Sequence, residues 1–103
     1  METINVRNVA AALPEAWISR VLGEVGGGTC VKVLRMDDGG LAEEAHDTAE
    51  ALFVLDGCLE LAVEGVPVAV RAGELYVVPP NTSHAVRRGS HGVLVVIERS
   101  QAG

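Results

Sequence analysis

The sequence has few aromatic residues and few positive charges. It contains one tryptophan, one tyrosine and one phenylalanine, so aliphatic side chains have to supply the core. A single lysine and seven arginines stand against fourteen acidic residues, which gives a formal net charge of −6. Nucleic acids and anionic membranes both attract basic surfaces, so we expect neither as a partner. The acidic balance is typical of an ordinary soluble surface.

Cysteines and long apolar runs are also scarce. Cys30 and Cys58 each lie inside an apolar segment, and no CxxC pair is present. The first residues have no basic region followed by an apolar stretch, and no apolar run approaches the length of a membrane span. We therefore expect a cytoplasmic protein in which both thiols are reduced, buried and inert.

What the chain does contain is valine, glycine and short alternating segments. Its 103 residues suffice for one domain with one core. β-Branched residues favour strands, and the twelve glycines and four prolines supply turns. We count about eight to ten strand-like segments, separated by turn signals at the spacing of all-β proteins. The pattern predicts an antiparallel sandwich or a closed barrel.

Three local patterns give more specific predictions. Asn8 is placed to cap a short helix that begins at Val9. The pair Asp56-Gly57 is typical of a type I′ hairpin turn, because that turn needs positive φ at both central residues. The isolated Trp17 is predicted to cover an opening of the core; the alternative is a lid over a ligand pocket.

The residues suited to metal chemistry lie in two segments, Glu43–Gly57 and the region around His84. Side chains two apart on a strand face the same side, so Glu44 and His46 could enter a barrel interior together. Glu50 precedes an apolar strand, where a buried carboxylate needs a cationic or hydrogen-bonding partner. Imidazole nitrogens and carboxylate oxygens converging from separate strands would bind a divalent metal ion.

These segments resemble the two motifs of the cupins, a family of small β-barrels. The first motif is written G-x5-H-x-H-x3-4-E-x6-G, and Glu50, ALFVLD and Gly57 match its second half. The second is written G-x5-P-x-G-x2-H-x3-N. Its matches are Gly73, Pro79, Asn81 and His84, with Asn81 at the inner glycine and Arg88 at the final asparagine. Asparagine tolerates left-handed backbone, so the turn can persist. The resemblance covers at least residues 30–98.

Two alignments of the H-x-H element remain open. With three residues before the motif's glutamate, His46 takes the second histidine position. The candidate metal ligands are then Glu44, His46, Glu50 and His84. With four residues, the two positions fall on Glu43 and Ala45, and His46 becomes a loop residue. The match of Asp47-Thr48 to the Asp-Thr of related sequences favours this second alignment, whereas the chemistry favours the first, because only the first supplies a histidine.

The resemblance implies an all-β fold, a single-domain jelly-roll barrel (a double-stranded β-helix) of two antiparallel sheets. We expect an N-terminal arm and first strand over residues 1–28, the barrel over 29–99 and a loose tail over 100–103. Cupins of this size are commonly homodimers, so a homodimer is expected through the first 20 residues or the outer sheet.

For function, the resemblance implies a divalent ion (Fe, Mn, Ni or Zn) acting on a small polar molecule in the barrel. Dioxygenase, isomerase and decarboxylase chemistry are all compatible with the family. One alternative is a sensor or storage protein that binds a small molecule without catalysis. Another is a vestigial site in a protein that works through its dimer surface.

Other charged residues have simpler interpretations. His84 could be an interior histidine bonded to a carboxylate, without any metal. Glu43 is expected on a solvated rim and His91 in an exposed turn. Arg35 and Arg87 could each reach a bound anion.

Overall fold

The computed structural model describes residues 2–100, so the predicted tail beyond Ser100 lies outside the described part. In chain order its elements are α1 (Val6–Ala12), β1 (Arg20–Val25), β2 (Thr29–Asp37), β3 (Leu41–Glu44), β4 (Glu50–Val63), β5 (Val66–Arg71), β6 (Leu75–Val78), β7 (His84–Val86) and β8 (His91–Arg99). The all-β prediction is confirmed. Within residues 2–100, no helix has the length and apolar character needed to cross a membrane.

All the strand pairs are antiparallel, and they join into one hydrogen-bonded network. The spatial order is β1-β2-β8-β4-β7-β3, and β5 and β6 also pair with β4. The 14-residue strand β4 makes this possible, because its first part pairs with β6 and β8 and its last part with β5 and β7. β4 therefore connects the two sides of the predicted jelly-roll barrel.

The hairpin predicted at Asp56-Gly57 is wrong, because β4 continues through it. A register shift marks a β-bulge against β8 at this point. Gly57 has a φ of 83°, and its neighbour across the strands, Gly92, has a φ of 102°. A Cβ at Gly57 would lie 2.0 Å from the carbonyl oxygen of His91, so the backbones approach too closely for a side chain. A bulge and a type I′ turn both use positive φ, which explains the misleading signal.

The N-terminal helix begins earlier than predicted, and Asn5 caps it instead of Asn8. Oδ1 of Asn5 accepts a hydrogen bond from the backbone N–H of Asn8 at 3.0 Å. At the other end, Nη1 of Arg35 donates to the carbonyl oxygens of Ala10 and Leu13 at 3.0 and 2.8 Å. The carbonyl oxygen of Ala10 also accepts from the backbone N–H of Leu13, so Arg35 adds hydrogen bonds at the C-terminal end of α1 and attaches it to β2.

The core lies inside the barrel and consists almost entirely of valine and leucine. Alternation along the strands places these side chains on the inward face. The buried cluster comprises Leu34, Met36, Leu52, Val54, Leu59, Leu61, Val70, Val78, Leu94 and Val96.

Both cysteines are free thiols. Cys30 is buried and Cys58 is partly buried, with its Sγ 3.5 Å from Oε1 of Glu60. Burial and the hydrogen bond to Glu60 raise the pKa of the Cys58 thiol. A raised pKa disfavours the reactive thiolate.

Candidate metal centre

A cavity of about 220 Å³ opens into the barrel between β2, β3, β4, β7 and β8. Its wall includes the four predicted metal ligands, Glu44, His46, Glu50 and His84, together with leucine and valine side chains of the core. Three of these four bring their ligand atoms into one cluster.

Glu44, His46 and His84 each offer one ligand atom, and these atoms all lie within 4.8 Å of one another. The register of β3 and β7 sets Glu44 opposite His84. His46 follows the end of β3, where its Nε2 lies 3.4 Å from Oε1 of Glu44. The two imidazole centroids are 5.9 Å apart. His46 therefore stands beside the other two, as the three-residue alignment requires.

His84 is the most constrained member of the cluster. Its side chain is only 5% exposed, and Nδ1 lies 2.9 Å from the carbonyl oxygen of Thr82. A carbonyl only accepts, so Nδ1 carries the proton and Nε2 keeps a free lone pair. Nε2 is buried and has no aligned hydrogen-bond partner among the described residues, although Oε1 of Glu50 lies 2.9 Å away. A fixed tautomer with a free lone pair is what a metal-binding histidine needs.

Glu50 lies next to this cluster but outside it, in contact with His84. Burial raises the pKa of the Glu50 carboxyl, and a hydrogen bond with Glu98 raises it further. The positive charge of protonated His84 or His46 acts in the opposite direction. A buried carboxyl in this position requires either a proton or a nearby cation.

Sequence reasoning missed Lys32 and Glu98, which also line the cavity. Nζ of Lys32 donates to Oε2 of Glu98 at 2.7 Å, and this hydrogen bond raises the pKa of the Lys32 ammonium. A signal was present in the sequence. Lys32 is two residues before Leu34, and Glu98 is two after Val96, so each shares an inward face with a core residue.

The strand register explains why Glu98 meets Glu50. The last paired position of β4 and β8 at this end is Ala51 with Ile97, and the next inward-facing pair is Glu50 with Glu98. Like charges directly opposite on neighbouring strands repel. Protonation of Glu50 and the ammonium of Lys32 both reduce that repulsion.

Comparison with known proteins identifies the family. Residues 33–98 match the family model of the cupin domain. The chain belongs to the cupins. Among solved structures, a cupin-2 domain containing protein from Shewanella frigidimarina is 26% identical, with 94% of each chain covered and a TM-score of 0.86. Protein NMB1881 from Neisseria meningitidis is 29% identical over 96% of this chain and 100% of that one, with a TM-score of 0.81.

A more distant structure shares only the fold. The DMSP lyase DddQ from Ruegeria pomeroyi is 24% identical over 84% of this chain and 48% of that one, with a TM-score of 0.69. No curated protein is similar to this cupin at a significant level.

The second cupin motif also holds the first one in place. Asn81 has a φ of 58°, so it adopts the left-handed backbone that the motif's glycine would supply. Its backbone N–H donates to the carbonyl oxygen of His46 at 2.6 Å. This hydrogen bond anchors the His46 backbone beside the strand that carries His84.

Trp17 contributes to the cavity wall from outside the barrel strands. Its ring packs against the core and lines the cavity, and its Nε1 donates to the carboxylate of Asp37. Its backbone has a φ of 67°, in the left-handed region, and its N–H donates to the carbonyl oxygen of Arg35 at 2.9 Å. Trp17 therefore covers part of the core and borders the ligand space as well.

The remaining charged candidates lie elsewhere in this cupin. Glu43, Arg87 and His91 are exposed, and Arg35 is engaged by the end of α1. None of these residues lines the cavity. His91 has its Nδ1 3.0 Å from the carbonyl oxygen of Gly89, a contact like that of His84 but at the surface.

Proposed function

We propose that this cupin binds a divalent metal ion through Glu44, His46 and His84 and acts on a small molecule in the cavity. The observation that supports this most is the convergence of the three ligand atoms within 4.8 Å. The buried Nε2 of His84, which has no aligned hydrogen-bond partner among the described residues, supports it independently. Glu50 is then a fourth ligand or a carboxyl partner of His84, at 2.9 Å from Nε2.

The donor set favours a transition metal. Two imidazoles with a carboxylate suit Fe, Mn, Ni or Zn, whereas Ca²⁺ and Mg²⁺ prefer oxygen ligands. The cavity wall carries three carboxyl groups against one ammonium, so with neutral histidines its net charge is −2 when Glu50 is ionised and −1 when Glu50 is protonated; a divalent ion would offset this negative charge. When bound, such an ion polarises a substrate oxygen placed in an open coordination position.

Glu50 is the residue best suited to carry a proton in this site. Burial and Glu98 raise its pKa, so its carboxyl keeps a proton at a pH where an exposed glutamate has lost it. It lies at the cavity wall, within reach of a bound molecule. We assign it the role of general acid or base.

A second candidate function is binding without turnover, as in a sensor or storage protein. It is favoured by the apolar character of the wall beyond the charged cluster, which offers no further acid or base. Both functions predict metal uptake, and they differ in whether a bound molecule is converted.

The direct experiment is metal analysis of protein purified without a histidine tag or chelator. We expect about one metal ion per chain, and a rise in melting temperature when Fe²⁺, Mn²⁺, Ni²⁺ or Zn²⁺ is added to stripped protein. Glu43→Gln, on the exposed rim, is the matched control and should behave as the unchanged protein. Stripped protein whose melting temperature responds to none of the four ions would rule out the proposal.

We also propose that two copies associate through the outer face of the sheet formed by β6, β4 and β8. Phe53 lies between Leu75 on β6 and Val95 on β8, so the outward row is apolar. Leu75 and Val77 are 58% and 53% exposed. An exposed apolar row of this kind favours association.

Light scattering of Leu75→Glu protein tests the dimer. The variant should be monomeric at a concentration where the unchanged protein is dimeric. Val66→Glu, equally exposed but on β5, serves as control and should stay dimeric. A monomeric parent protein would contradict this proposal.

A further inference from the structure

The wall of the cavity changes from charged to apolar along the strands. On the β4–β8 side, the charged pair Glu50 and Glu98 is followed inward by Leu52 opposite Val96. The next inward residue of β8 is Leu94, which also lines the cavity. On this side of the cavity, the residues that follow the charged pair are therefore all apolar.

The opposite side of the cavity changes in the same order. Glu44 lies opposite His84, and the other register pair of β3 and β7 is Leu41 with Val86; both residues line the cavity, although Leu41 is itself 42% exposed. Val86 is also paired with Leu61 of β4. The cavity thus has one charged end, and the rest of its wall is mostly apolar, with Ser19 adding one hydroxyl to the lining.

We propose that the ligand of this cavity is a small amphipathic monocarboxylate, with its carboxylate at the metal and an unbranched alkyl chain along the leucine-lined wall. The inference rests on the proposed metal site and specifies its substrate class. It replaces the general expectation of a small polar molecule with one that is polar at a single end.

The charge of the cavity determines which polar group the ligand carries. Without metal, the carboxylates outweigh Lys32 even when Glu50 is protonated, so the cavity repels an anion. A divalent ion offsets this negative charge and would offer a carboxylate an open coordination position. The carboxylate therefore binds only after the metal.

The apolar wall determines whether the rest of the ligand is an alkyl chain or a hydroxylated one. Leucine and valine side chains offer no hydrogen bonds and Ser19 offers one hydroxyl, so a chain with several hydroxyls would lose its water and leave most of them without a partner. The cavity volume of about 220 Å³ corresponds to roughly seven waters at their liquid volume. A chain of a few methylenes fits this space, whereas a sugar acid leaves its hydroxyls unpaired.

The single tryptophan of the chain provides the readout, because Trp17 lines the cavity. Metal-loaded protein is titrated with butyrate, pentanoate and hexanoate while Trp17 fluorescence is recorded. Each added methylene should tighten binding about four-fold. Gluconate, which has the carbon chain of hexanoate with a hydroxyl on every carbon beyond the carboxylate, should bind far more weakly than hexanoate.

A pair of valine variants tests the position of the alkyl chain. Val96 lines the cavity, and Val96→Thr keeps its shape while adding a hydroxyl. Its affinity for hexanoate should fall about four-fold or more, the equivalent of one lost methylene. Val66→Thr, on the exposed surface of β5, should bind hexanoate as the unchanged protein does.

Metal content measured on the same samples separates this inference from the proposed function. The inference is overturned, and the metal site left intact, if metal-loaded protein binds gluconate as tightly as hexanoate. The same holds if its affinity does not rise from butyrate to hexanoate. Preference of the loaded protein for hexylamine over hexanoate overturns the choice of a carboxylate. Protein that takes up no metal, yet tightens from butyrate to hexanoate, overturns the metal site and supports the apolar subsite.

Discussion

The two histidines of the cavity are held in different ways. The side chain of His84 is 5% exposed and that of His46 is 39% exposed. The carbonyl oxygen of Thr82 fixes the tautomer of His84. His46 is anchored through its backbone carbonyl, by Asn81, while its ring lies against the exposed carboxylate of Glu44 and the ring of His84.

This difference predicts that His84 contributes more than His46 to the affinity of the proposed site for a metal ion. His84 needs no reorganisation to present Nε2, so its contribution to metal binding is not reduced by an ordering cost. His46 has to give up side-chain freedom and solvent contact when it binds. We therefore expect loss of His84 to be far more damaging than loss of His46.

Replacement of His84 tests this contrast with the largest expected effect. His84→Ala should weaken metal binding at least about 100-fold, because it removes the preorganised ligand. Isothermal titration with Zn²⁺ measures the change, and circular dichroism checks that the variant is folded. His91→Ala is the matched control, since His91 has the same kind of Nδ1–carbonyl contact at the surface. Equal affinities for His84→Ala and the unchanged protein would exclude His84 as a ligand.

Replacement of His46 should have a smaller effect on the same measurement. His46→Ala is expected to weaken Zn²⁺ binding about ten-fold, near 1.4 kcal/mol, because His84 and the carboxylates remain. Its fold should be unaffected, since the ring is partly exposed. If His46→Ala binds Zn²⁺ as tightly as the unchanged protein, the four-residue alignment of the first motif is correct for ligation and His46 is a rim residue.

The fold could be predicted from the sequence because its signals are local. Valine alternation and glycine turns identify a strand whatever its partner. β4 was divided in two at Asp56-Gly57 because its continuity depends on Gly92, on a strand far away in the sequence. A local pattern reports the positive φ of Gly57 but not the backbone that lies against it.

The site was predictable only where it coincided with a motif. His84 was located by its spacing after Pro79, and Glu50 by its position before an apolar strand. Glu98 lies outside both motifs, and its spacing from the core residue Val96 is easily overlooked, because a charge near the end of a strand ordinarily faces solvent. Only the register of β4 and β8 reveals that it lies opposite Glu50.

The carboxyl groups beside the two histidines also differ in their exposure to solvent. Replacing the buried one has the smallest effect that we predict. Glu50, beside His84, is 10% exposed, whereas Glu44, beside His46, is 55% exposed. Because the pKa of Glu50 is raised in the folded state, the folded protein holds a proton that the unfolded chain releases. This contribution to stability is complete below the unfolded pKa of Glu50 and is lost as pH rises through its folded pKa.

In stripped protein, Glu50→Gln should therefore raise the free energy of unfolding at neutral pH by roughly 0.5–1 kcal/mol, the size of a cross-strand pair interaction. The gain should shrink as the pH is lowered towards the ordinary pKa of glutamate, where Glu50 is protonated in both states. Urea unfolding in the presence of chelator at several pH values measures it, and Glu44→Gln should change stability little. A Glu50→Gln curve that runs parallel to that of the unchanged protein would mean that Lys32 already neutralises the Glu50–Glu98 pair, and that Glu50 is ionised in the metal-free site.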